Sequence, residues 1–419
     1  MALKQIDFFR DTFKLLAGTV VAQAIPLLLQ PVLSRIFTTS DYAVYGVYFS
    51  ILSWFDVISS GRYELAVTLP EKDEDAVNLV AGGILISAVL FFLLLFIAYF
   101  FHSPISGMLH NPKLSTFLYL IPPTLLIMSV GKMLNIWLIR KEAFKAAAYN
   151  KVTQKASEVS ADLGFGLIRF SNGLILGDLF GRICMALVAF RQSLKAGFDL
   201  KLVNWQRMKS IMRRHRQLPL YNSIPALMNT SATLFPILLI SSKYTEAISG
   251  SFNFTRLVLM VPMSFLAYSI SQVLFQRVTK NKNAKASIQH IIRLLIKNLG
   301  IVALVLFIII FAGGPQLFSF IFGQHWSLAG TFSRIMVFSF ALQFLVSPLS
   351  ITLAAMEKIK LYSLWQVTYF LAIGSLFFVH DIPVEHMLIL LTAIEVFFYL
   401  IYFFLILRVV KQYERSLIP

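Results

Sequence analysis

Residues 77–101 read VNLVAGGILISAVLFFLLLFIAYFF, an apolar run with no charged side chain. A helix rises about 1.5 Å per residue, so a run of this length crosses the ~30 Å hydrocarbon core of a bilayer. Reading outward from it on the same basis predicts about twelve spans. Six fall near 14–34, 42–67, 77–101, 115–139, 152–169 and 173–191, and six near 219–241, 249–274, 292–312, 331–355, 361–380 and 386–407. The polar breaks between them are short. The chain is 58% apolar and 14% charged, with 39 Phe, against the ~25% charge of a typical soluble domain. The expected class is an all-α polytopic membrane protein, and a cytosolic enzyme is excluded.

The formal net charge is +17, which in a soluble protein would suggest nucleic acid. Here the basic residues alternate in position with the spans. Predicted inward ends and loops hold Arg62, Lys72, Arg140, Lys141, Lys151, Arg207, Arg213, Arg214, Lys280, Lys358 and Arg408, among others. Outward ends hold only Arg35, Lys113, Arg169, Lys243 and Arg334. Cytoplasmic loops retain Lys and Arg, so both termini are expected in the cytoplasm and the charge is topological; no nucleic-acid partner is expected. The first apolar segment carries Gln23, Pro26, Gln30 and Pro31 with no cleavage site after it, so it reads as a span and not a secretory leader. The single Cys184 rules out an internal disulfide and a thiolate metal site.

The longest polar interruption, Arg191–Leu218, divides the spans six and six. The expected organisation is an N-terminal lobe over 1–191, a basic cytoplasmic linker over 192–218 and a C-terminal lobe over 219–419. Two halves of equal helix count are a common transporter plan. Pro31, Asp41 and Gly46 recur at nearly the same spacing as Pro236, Glu246 and Gly250. The linker also has the composition of an amphipathic helix lying on anionic membrane lipids.

Ionisable groups within spans cost several kcal/mol each unless they face protein or water. Those here are Asp56, Lys132, Glu158, Asp162, Asp178, Arg182, Arg256 and Glu395, with Arg62 and Glu64 near an inner end. Arg256 is either a fixed cation for an anionic group or half of an ion pair with Glu395 or Asp56. Arg suits phosphate because its planar fork makes paired hydrogen bonds. Lys132 either meets an anion or snorkels to the headgroups. Asp178 and Arg182 are spaced i,i+4 and read as a structural pair. Glu158 and Asp162 share one helix face, an arrangement that suits a proton site unless Lys155 or Arg182 neutralises it. Asp56 is an ion-coupling candidate or simply a cation's partner.

Pro26, Pro31, Pro122, Pro123, Pro225, Pro236, Pro262 and Pro348 all fall within predicted spans, where each permits a kink. No P-loop, zinc-binding helix, nucleophile elbow or Cys/His cluster occurs. His102, His110, His325, His380 and His386 are scattered at outward ends. No cofactor, metal or catalytic residue is expected.

The segment from Gly18 to Leu79 resembles the Wzx-type polysaccharide flippases of the multidrug/oligosaccharidyl-lipid/polysaccharide exporter superfamily. The residues carrying the likeness are Gly18, Gln23, Pro31, Leu33, Ser34, Arg35, Asp41, Tyr42, Tyr45 and Gly46. They continue through Arg62-Tyr63-Glu64-Leu65-Ala66, Leu69-Pro70 and Lys72-Asp73-Glu74-Asp75-Ala76. The resemblance implies a multi-pass protein of the bacterial inner membrane that moves an undecaprenyl-diphosphate-linked oligosaccharide, an O-antigen or capsule unit of lipopolysaccharide or polysaccharide biosynthesis, to the periplasmic leaflet. It implies two six-helix lobes around a cationic cavity, with Arg256 first and Arg35, Arg62 and Lys132 next for the diphosphate. A flippase of this kind runs on an ion gradient, so H+ or Na+ is implied as coupling ion, with Asp56, Glu64, Glu158 and Asp162 as candidate sites. Other proteins of polysaccharide assembly are partners it leaves open.

A multidrug exporter of the same superfamily is the nearest rival and would favour an acidic pocket. A membrane glycan polymerase or ligase would need a large outward loop with catalytic Arg or His. The longest outward stretch here, Gly313–Gly330, is short and holds His325 but no Arg.

Overall fold

A computed structural model describes residues 2–108, 114–170 and 172–417; Lys113 and His110 lie outside the described residues. Every regular element among them is helical. In chain order these are α1 (Ala2–Ile36), α2 (Thr39–Ser59), α3 (Asp73–Met108), α4 (Leu114–Leu118), α5 (Ile121–Arg140), α6 (Phe144–Leu167), α7 (Gly173–Lys195) and α8 (Trp205–Arg214). They continue with α9 (Gln217–Lys243), α10 (Glu246–Asn283), α11 (Gln289–Phe322), α12 (Ser327–Leu349), α13 (Ile351–Ala355), α14 (Ile359–Ser375) and α15 (Val384–Arg415).

Among the described residues, 11 helical stretches are long and apolar enough to cross a membrane. The remaining expected span, near 152–169, is present as α6 but is too polar to qualify. Lys151, Lys155, Glu158 and Asp162 sit on it, and it packs between α1 and α7. One other boundary moves for a local reason. The span expected over 42–67 stops at Ser59, because Gly61 and Arg62 both take left-handed conformations (φ 57° and 59°). Pro122 and Pro123 occupy the first turn of α5, inside the apolar stretch Ser115–Arg140. Proline fits there because its missing N–H would have no helical partner.

The chain forms two compact units, Met1–Gly250 and Ser251–Pro419. In the first, a core of Val44, Val47, Tyr48, Leu52, Leu125 and Ile175 lies among α2, α5 and α7. A second cluster joins Tyr63, Val67, Val77, Met133, Trp137, Phe198 and Ile211. Several of its members lie outside the spans, so water competes for them and burial draws on the hydrophobic effect. Between helices in lipid, packing and hydrogen bonds replace that force. Val89, Phe92, Leu93, Phe96, Tyr99 and Phe100 leave one side of α3 exposed and apolar, as a lipid-facing surface requires.

In the second unit α11 packs against α12, and α12 and α14 against α15. Gly330 permits the first of these contacts, since a Cβ there would come 2.5 Å from the Pro315 Cα. Phe254 stacks on Trp326 with ring centroids 3.8 Å apart.

Candidate functional site

The sharp turn after α2 gathers four of the charged residues singled out above. On the last turns of α2, Asp56 Oδ1 accepts from Lys132 Nζ of α5 at 2.7 Å. The same ammonium also donates to the Asp56 carbonyl at 3.1 Å and to Ser59 Oγ at 3.3 Å. Ser59 Oγ in turn donates to Asp56 Oδ1 at 3.1 Å. Ser87 Oγ donates to the Ser59 carbonyl at 2.7 Å and pairs with Ser129 Oγ. The next residue, Ser60, donates to Glu64 Oε2 at 2.5 Å. Arg62 Nη1 lies 3.6 Å from Glu64 Oε1, while Arg62 Nε has no hydrogen-bond partner. Two adjacent serines therefore each serve one cation–carboxylate pair.

The pairs differ in access, with Lys155–Glu158, at 21% and 8% exposed, between the extremes. Lys132 and Asp56 keep 25% and 22% of their side chains exposed. On α7, Arg182 Nε donates to Asp178 Oδ2 at 2.7 Å with 8% and 0% exposed. On α6, Lys155 Nζ donates to both oxygens of Glu158, at 2.8 and 2.7 Å. Asp162, one turn further on, is buried, and its Oδ1 has no hydrogen-bond donor. That oxygen lies against Gly177 of α7, where any Cβ would collide with it.

In the second unit, Arg256 of α10 pairs with Glu395 of α15 at 3.5 Å, with 7% and 8% exposed. The guanidinium lies 5.7 and 5.8 Å from the Phe252 and Phe340 ring centroids, a cation–π setting. Arg35 sits in the last turn of α1. It is at the opposite end of α2 from Asp56, so these two positions are not brought together.

Sequence reasoning did not assign the acidic turn its role. Arg140 spans it, donating to the Val67, Pro70 and Glu71 carbonyls at 3.3, 2.6 and 3.2 Å and to Asp73 Oδ1 at 3.1 Å. Arg207 of α8 donates to Asp75 Oδ1 at 2.7 Å and pairs with Glu74. Asn78 Nδ2 donates to the Leu202 carbonyl at 2.9 Å, and its Oδ1 accepts from Asn204 N–H at 2.8 Å. Tyr63 Oη donates to the Met212 carbonyl at 3.0 Å. Met208 and Ile211 of α8 are buried in the same unit, while Trp205 at its start is exposed. Burial and the Arg214 charge push the His215 imidazole below its ordinary value. The legible signal was a D-E-D run facing a basic linker. Asp41 has a structural use too: it completes the N-terminal cap of α2 with Thr38 and accepts from Asn172 N–H at 3.0 Å.

A sequence profile described as polysaccharide biosynthesis protein matches residues 32–330. No curated protein shows significant sequence similarity. Among solved structures, the inward-facing conformation of a multidrug resistance MATE family transporter of the MOP superfamily superposes with TM-score 0.71. It is 13% identical, covering 95% of this chain and 99% of that one. The lipid II flippase MurJ, inward closed, gives TM-score 0.71 at 11% identity, covering 98% and 91%. A MOP superfamily transporter from Pyrococcus furiosus, described by its reversed binding-pocket polarity, gives 0.63 at 14%, covering 96% of each. The likeness at these identities shows the fold: the polytopic helical architecture that these solved structures share.

Proposed function

This chain belongs to the polysaccharide biosynthesis protein family, and on that premise we propose that it is a flippase for an undecaprenyl-diphosphate-linked oligosaccharide. It carries the unit from the cytoplasmic to the periplasmic leaflet of a bacterial inner membrane by alternating access. The observation that supports this reading best is the partly exposed Lys132–Asp56 pair, close in the chain to Arg62 and Glu64 at the basic end of α2. A diphosphate is a permanent anion, and moving it out of water costs several kcal/mol unless fixed cations replace its hydration. Lys132 supplies a compact charge and Arg62 a planar fork. The polyprenyl tail stays in lipid, so only the head group needs a polar route.

Of the four cations expected to meet the diphosphate, Lys132 and Arg62 carry the proposal. Arg256 is matched by Glu395, and Arg35 lies at the far end of α2. An ion, H+ or Na+, moves in exchange. Asp162 is the first candidate to carry it, because one of its buried oxygens is unengaged. Glu158, Asp56 and Glu64 each already face a cation.

The test is expression in a bacterium lacking its own flippase, reading surface polysaccharide and lipid-linked units left on the cytoplasmic side. Restored surface glycan with cleared intermediates is expected. Failure across several repeat-unit backgrounds, with the protein present in the membrane, would reject the reading. A multidrug exporter is the second reading, favoured by the buried carboxylates Glu158 and Asp162. It predicts raised resistance to organic cations with no change in surface glycan.

A further inference from the structure

We propose that the Lys132–Asp56 pair is a displaceable lock on a diphosphate-binding site, in which the incoming anion takes Lys132 away from Asp56. This rests on the flippase reading for the source of the anion, though not for the site. Both partners of this pair are open, whereas Lys155–Glu158 and Arg62–Glu64 expose mainly the cation, at 21% against 8% and 25% against 9%. Asp178–Arg182 and Arg256–Glu395 are sealed, with no side chain more than 8% exposed. Lys132 and Asp56 keep about a quarter of their surface open. A charged pair in a span does not present that surface to hydrocarbon, where it would cost several kcal/mol, so the open side faces water. A ligand arriving through water reaches this pair and not the sealed ones.

The surroundings suit exchange between two anions. Lys132 Nζ already has three oxygen neighbours, the Asp56 carboxylate, the Asp56 carbonyl and Ser59 Oγ. Loss of the carboxylate leaves the other two to hold the ammonium in place. Ser59 Oγ, within donating distance of both Asp56 Oδ1 and the Asp56 carbonyl, can then turn its hydrogen to a phosphoryl oxygen. Just past Ser59 and Ser60 lies Arg62, a quarter exposed and 3.6 Å from Glu64, longer than a hydrogen bond. Its Nε has no partner. Two cations thus meet this turn, Lys132 from α5 and the turn's own Arg62, each facing a carboxylate, the second loosely. That number of charges matches the two phosphoryl groups of a diphosphate. In the resting state the carboxylates keep the cations neutralised, which discourages adventitious monoanions. When the diphosphate binds, Asp56 is released.

The same phosphoryl chemistry is offered by a lipid-linked diphosphate and by an anionic phospholipid headgroup, and the experiment separates them. Purified full-length protein is reconstituted in phosphatidylcholine nanodiscs and titrated with inorganic pyrophosphate by calorimetry. Asp56→Asn removes the competing carboxylate and is expected to tighten pyrophosphate binding roughly tenfold, about the worth of one modest charge competitor. Lys132→Gln is expected to abolish binding, in the Asp56→Asn background as well, and Lys132→Arg to retain it. Monodisperse elution of each variant in detergent checks folding, and Glu357→Gln serves as a control that binds as wild type. Unchanged or weaker binding by Asp56→Asn, or wild-type binding by Lys132→Gln, overturns the proposal. If phosphatidylglycerol in the nanodisc competes with pyrophosphate at equal concentration, the site belongs to headgroups and the diphosphate assignment falls. Lys132-dependent pyrophosphate binding together with failed complementation would instead keep the site and reject the flippase reading.

Discussion

Lys132–Asp56 and Arg256–Glu395 are both cation–carboxylate pairs joining two transmembrane helices, and they are built to opposite plans. The first is close, at 2.7 Å, supported by a serine hydroxyl and partly exposed on both partners. The second is looser, at 3.5 Å, closed off and faced by two phenylalanine rings. Charge within a membrane does not by itself mark a binding site. A sealed pair has already met its electrostatic demand, and a ligand gains nothing by arriving unless it can break it. An open pair retains a negotiable partner.

The largest expected effect falls on the sealed pair. Arg256→Ala strands Glu395 in a low dielectric and should cost about 3–5 kcal/mol, read as a lower melting temperature in detergent and less protein in the membrane. The paired change Arg256→Met with Glu395→Leu should recover most of that loss, since apolar residues of similar volume replace buried pairs without penalty. A stable Arg256→Ala protein would break the comparison. Next comes another enclosed carboxylate: Gly177→Ala drives a methyl into Asp162 and should cost ~1–3 kcal/mol through separation of α6 and α7. Lys132→Gln removes an open pair and should cost about 1 kcal/mol or less, while surface glycan falls to background. Smallest of all is Lys282–Glu357, a 2.7 Å pair in the second unit with Glu357 largely exposed. Lys282 holds that carboxyl below its ordinary value. Any contribution is therefore present above the unfolded carboxylate range and lost as pH falls through the folded value. Glu357→Gln should leave the melting temperature unchanged.

How far these features could be read beforehand depended on the range of the interaction. Apolar runs such as 77–101 announce spans because length and composition alone decide them. Asp178 and Arg182 fall on one face because the helical period puts them there. Where a span ends is less visible: nothing in the hydropathy of 42–67 reports that Gly61 and Arg62 turn left-handed. Helix α6 is amphipathic against protein, not lipid, so a hydropathy window undervalues it. Pairs across helices are the least legible. Arg256 had Glu395 and Asp56 as candidate partners, and only the placement of α10 and α15 selects Glu395. Lys132 carried no sign of Asp56, because snorkelling and pairing demand the same stem. The acidic turn 73–75 was conspicuous in the sequence, yet its use as the seat of Arg140 and Arg207 needed the chain's path.

The most direct test places both pairs in one assay: complementation of a flippase-deficient bacterium by Lys132→Gln and by the Arg256→Met, Glu395→Leu double variant, at matched membrane levels. The account predicts no surface glycan with the first and restored glycan with the second. Restored glycan with Lys132→Gln and none with the double variant would contradict it, and would move the diphosphate contact to Arg256.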